Sequence, residues 1–86
     1  MFTSQLKFRN SHPIPHVVYV EPWAEDFTLF PGEALEVHAY SFGTTPHFHI
    51  VASAGVTQVY CESADTFKVI QDGAELACGH RRQAVA

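Results

Sequence analysis

Long apolar runs are missing from this sequence: no stretch approaches the ~20 residues that a membrane-spanning helix needs. Charge is scarce at 16% of residues, and its basic part is the smaller, with five Lys+Arg against nine Asp+Glu. A surface that tracks phosphates needs the opposite balance, so nucleic acid is not an expected partner. Cysteine occurs twice, at Cys61 and Cys78. Two thiols cannot build a disulfide scaffold, and they read as the reduced cysteines of a cytoplasmic protein. A bridge between them would require Cα atoms within ~7 Å. The opening residues, Met1 to Asn10, alternate in polarity where a secretory leader would be continuously apolar. Phosphate-cradling glycine loops, Gly-x-Ser-x-Gly elbows and Cys-x-x-Cys pairs are all absent, which turns the reading away from an enzyme.

What is present is apolar and branched. Hydrophobic residues make up 47% of the 86, enough for one domain spanning 1–86. Val, Ile and Thr number eighteen against five Leu and Met, a balance that suits pleated strands better than helices. Phe2, Leu6 and Phe8 open a first strand, and two prolines break the Asn10–Pro15 stretch. Val17–Glu21 and Phe27–Phe30 follow as strands, and Pro31-Gly32 has the chemistry of a type II turn. From Ala34 the alternation is clean: Leu35, Val37 and Ala39 share one face, Glu36, His38 and Tyr40 the other. Phe42–Pro46 has hairpin length, and Phe48, Ile50 and Ala52 then lie opposite His47, His49 and Val51. Ala54-Gly55, Glu62–Asp65 and Asp72-Gly73 punctuate the rest, with a last short strand at Glu75–Ala77 and a frayed tail over 79–86. The expectation is an all-β fold: a single small antiparallel β-sandwich, or small barrel, of about seven short strands.

Val18–Leu76 resembles a pattern of small bacterial β-sandwich proteins with no assigned activity. The likeness rests on Val20-Glu21-Pro22-Trp23, Leu29-Phe30-Pro31-Gly32-Glu33-Ala34-Leu35-Glu36-Val37, Gly55-Val56-Thr57 and Asp72-Gly73-Ala74-Glu75-Leu76. It implies a sandwich, with Trp23 plugging the end of the core. A weaker likeness is to cupredoxins. The Pro31–Val37 strand followed by Pro46-His47 looks like their first histidine, and Val59-Tyr60-Cys61 like the start of their ligand loop. A blue-copper centre also needs a weak axial ligand such as methionine. Here Ala64 stands three residues after Cys61 and Met1 is the only methionine, which argues against such a centre. His47-Phe48-His49 shares the His-x-His spacing of cupins without their following glutamate.

Six histidines are the remaining chemical feature. His47 and His49 stand at i, i+2 on one strand face, a spacing that lets two imidazoles reach one ion. If the Phe42–Pro46 connection pairs its flanking strands, His38 joins them and Glu36 can add a carboxylate. That set, His38, His47, His49 and Glu36, would suit zinc, copper or nickel. The plainer alternative is the solvated face of a hairpin. Cys61 reads as a small core residue, Cys78-Gly79-His80 as an incomplete ligand pair, and Glu21, Glu25, Asp26 and Glu33 as a solvated acidic rim. Phe2, Phe8, Tyr19, Trp23, Tyr40 and Phe42 are more aromatics than one small core can centre, an excess that points to a self-associating interaction module.

Overall fold

A computed structural model describes residues 1–77. The expectations for Cys78, the Cys78-Gly79-His80 pair and the tail over 79–86 lie outside the described residues. Eight strands follow one another: β1 (Phe2–Arg9), β2 (His16–Glu21), β3 (Glu25–Leu29), β4 (Ala34–Ser41), β5 (His47–Ser53), β6 (Val56–Glu62), β7 (Thr66–Gln71) and β8 (Ala74–Glu75). They form two four-stranded sheets, ordered β1-β4-β7-β8 and β3-β2-β6-β5, packed as a small β-sandwich. No helix among the described residues is long and apolar enough to cross a membrane.

Alternation decides which side chains go inside. Along β4, Leu35, Val37, Ala39 and Ser41 are buried while the residues between them are partly exposed. β2 repeats the pattern with His16, Val18 and Val20, and β6 with Thr57, Val59 and Cys61. Phe27, Leu29 and Val69 complete the core, and Leu6, Phe8, Trp23, Phe48 and Phe67 pack around it. Each fully buried Val or Leu contributes roughly 1.5–3 kcal/mol over an exposed one. Trp23 closes one end, its ring 4.5 Å from that of Phe67.

The turns follow their residues. Gly32 takes φ 84°, as a type II turn after Pro31 requires, and Asp72 and Gly73 are both left-handed at 51° and 78°, the signature of a type I′ hairpin. β2 pairs antiparallel with β3, β5 with β6 and β7 with β8, while β2 and β6 are parallel neighbours.

One connection departs from the sequence-based expectation. Phe42–Pro46 is not a hairpin: β4 pairs with β1 and β7, and β5 pairs with β6 in the other sheet. Both edges of β4 are already occupied, so β5 has no ladder to join there. The Ser41 hydroxyl accepts hydrogen bonds from the amides of Gly43 (3.1 Å) and Thr44 (3.4 Å), and the Asp65 carboxylate accepts one from Phe42 (2.8 Å). These bonds turn the chain out of the first sheet. Buried Pro46, whose carbonyl accepts from the Ser4 hydroxyl, then leads it into the second.

Candidate functional site

The crossing separates the histidines. His38 lies on the outer face of the β1-β4-β7-β8 sheet, where its register neighbours are Gln5 and Lys68. Its Nε2 is 2.9 Å from Glu36 Oε1. His47 and His49 lie on the outer face of the other sheet, beside Glu62 and Tyr60. Their strand neighbours Phe48, Ile50 and Ala52 pair with the inward residues Cys61, Val59 and Thr57, so the imidazoles must point away from the core. The body of the sandwich therefore stands between His38–Glu36 and His47–His49. Within one copy of the chain the four expected ligands are not brought together. Among the described residues no group of three or more His, Cys, Asp or Glu is placed to hold a metal ion.

What the structure does assemble is two smaller pairs and one buried contact. His47 Nε2 is 2.8 Å from Glu62 Oε2, an exposed pair at the start of β5. The ring of His49 meets that of Tyr60 edge-on, with centroids 6.0 Å apart. Inside, His16 Nε2 lies 2.7 Å from the Thr57 hydroxyl. Burial, and secondarily the nearby His12, lower the pKa of His16 below 6.5. The geometry is that of a base beside a hydroxyl, but Thr57 is only 1% exposed, so no substrate reaches it. Cys61 is equally shut in, its thiol pushed up to about 11 by burial, which keeps it protonated and unreactive. Sequence reasoning missed His16–Thr57. The signal was a histidine in phase with Val18 and Val20 on β2.

An open groove lies between the Pro31-Gly32 and Asp72-Gly73 turns, lined by Lys7, Arg9, Glu33, Glu36 and Asp72. Its charges are mixed, and Arg9 donates to the Gly32 carbonyl at 2.9 Å. A single-sign ligand finds no complement there.

The remaining feature is the exposed side of β5. It is an edge strand of seven residues, His47-Phe48-His49-Ile50-Val51-Ala52-Ser53, without Lys, Arg, Asp, Glu or Pro. Ile50 on its inner face and Val51 on its outer face are each 44% exposed. Among the described residues, the other three edges are guarded in the usual ways. β1 carries Lys7 and Arg9, β3 carries Glu25 and Asp26, and β8 is two residues long. Phe42, 76% exposed in the connection leading into β5, adds apolar surface at its start. Comparisons with protein families, curated proteins and solved structures find no match to this chain.

Proposed function

We propose that this chain is a non-enzymatic interaction module that self-associates by pairing β5 with β5 of a second copy. One observation carries the reading: among the described residues, β5 is a seven-residue edge strand without Lys, Arg, Asp or Glu, while the other edges are defended. An unpaired ladder of N–H and C=O groups is a template for another strand. The strand is also self-complementary. Pairing two copies antiparallel with Ile50 opposite Ile50 overlaps all seven residues and sets each Phe48 against an Ala52, large against small. The strand carries no Lys, Arg, Asp or Glu to set like charges against one another in the pair. Such a register forms about six to eight main-chain hydrogen bonds and continues one sheet across the dimer.

Sedimentation velocity over a concentration series tests it, with the Ile50→Lys variant alongside. In the free chain the lysine ammonium reaches solvent from a half-exposed position, whereas in the pair two ammonium groups would meet across the axis. The wild type should dimerise, and Ile50→Lys should stay monomeric with an unaltered far-ultraviolet spectrum. Gln5→Lys adds the same charge on the β1 edge and should leave association unchanged. A wild type that remains monomeric throughout, or an Ile50→Lys variant that dimerises equally well, removes the reading.

A further inference from the structure

Pairing of the β5 edges would do more than bury apolar surface. It would also bring together imidazoles that one copy keeps apart from further ligands. We infer that the paired edge forms a transition-cation site, in which His49 of each copy binds one zinc-like ion across the two-fold axis. This rests on the edge-pairing reading above. Opposite pairs in the Ile50-centred register have residue numbers summing to 100, so His49 faces Val51 of the second copy and lies diagonal to its His49. Diagonal neighbours across an antiparallel pair stand about 7–8 Å apart at Cα, within reach of two imidazoles converging on one ion. Both rings are on the outer face, away from the core and open to solvent.

Chemistry and surroundings fit a borderline cation. Neutral imidazole is a good donor for Zn²⁺, Ni²⁺ and Cu²⁺, and nitrogen-to-zinc distances of about 2.0–2.1 Å are attainable from flexible exposed rings. His47 stands next along the same face, and its Nε2 is already engaged with Glu62 at 2.8 Å. His49 makes no hydrogen bond of that kind among the described residues and meets only the edge of Tyr60. It is therefore the freer ligand. Two protein nitrogens leave the other positions of a tetrahedral ion to water, so the site is open and of modest affinity. His38 belongs to the opposite outer face and takes no part.

The ion binds the dimer better than the monomer, so it must tighten association by linkage. With zinc at about ten times its dissociation constant, the dimer constant rises roughly tenfold. The experiment is sedimentation of tag-free protein in chelator and in graded zinc chloride, for wild type, His49→Ala and His38→Ala. The ratio of dimer constants in zinc and in chelator should be about ten for wild type and His38→Ala, and about one for His49→Ala. A zinc effect that survives His49→Ala overturns the clip. So does a wild type that dimerises in chelator, through an edge blocked by Ile50→Lys, yet ignores zinc; in both cases the edge reading stands. A chain monomeric in chelator and in zinc alike removes both.

Discussion

Asn10 shows how much structure one buried polar residue can organise. It is 1% exposed, yet its side chain donates to the carbonyls of Ile14 (2.8 Å) and Leu29 (3.0 Å) and accepts from the His12 amide (3.0 Å). Its main chain exchanges bonds with Glu33 and Gly32. The loop after β1 is thus tied to the turn before β4 by the main chain of Asn10, and to the end of β3 by its side chain. His16 and Thr57 do the same across β2 and β6. Thr57→Val removes the hydroxyl and strands a buried ring nitrogen, so unfolding by urea should show a loss of about 1–3 kcal/mol. The same histidine sets a pH dependence. Its folded pKa lies below 6.5, first through burial and then through His12. The unfolded chain therefore takes up this proton at higher pH than the folded one. The contribution is fully present above about 6.5 and is lost as pH falls through the lower, folded value. His16→Gln, which cannot titrate, should weaken the fall in urea midpoint between pH 7 and pH 5. An equally steep fall in the variant would show that His16 does not carry the dependence.

At the scale of elements, the local chemistry was legible and the pairing was not. β4 could be read nearly residue by residue, because strict alternation states which side chains are inward. Pro31-Gly32 and Asp72-Gly73 could be read because each demands a particular backbone. Gly73 has open space around its Cα and φ 78°, so Gly73→Ala clashes with nothing and isolates the conformational cost. A loss of about 1–2 kcal/mol in a thermal or urea melt is expected, and an unchanged midpoint would mean the turn relaxes to another type. Alternation tells a strand's faces but not its neighbours. That is why Phe42–Pro46 passed for a hairpin and His38 for a companion of His47 and His49. The deciding contacts, Ser41 with its own loop and Asp65 with Phe42, join residues whose types say nothing of their partners. Asn10 and Thr57 were illegible for the same reason, since a polar residue in a loop or strand looks solvated until its partners are known.

For the whole molecule, the proposed pairing has to choose among the four sheet edges of the described residues, β1, β8, β3 and β5. A sandwich leaves edges that a closed barrel would not, and three of these are blunted by charge or shortness. β5 is the exception among the described residues, and the proposed pairing makes a prediction that neither surface hydrophobicity nor exposed aromatics would make alone. Alternate amides along an antiparallel edge strand point away from the sheet, and only these would gain partners in the dimer. Amide hydrogen exchange at low and high protein concentration should therefore slow the outward amides of His47–Ser53 on concentration, by about tenfold where nine-tenths of the chains are paired. The outward amides of β1 and β3 should exchange at the same rate throughout. Slowing at Phe2–Arg9 instead would move the interface to the other sheet. Association by apolar patches such as Phe42, without strand pairing, would leave all three edges unprotected. The alternating pattern along β5 is what separates strand addition from mere adhesion, because only a main-chain ladder protects every second amide.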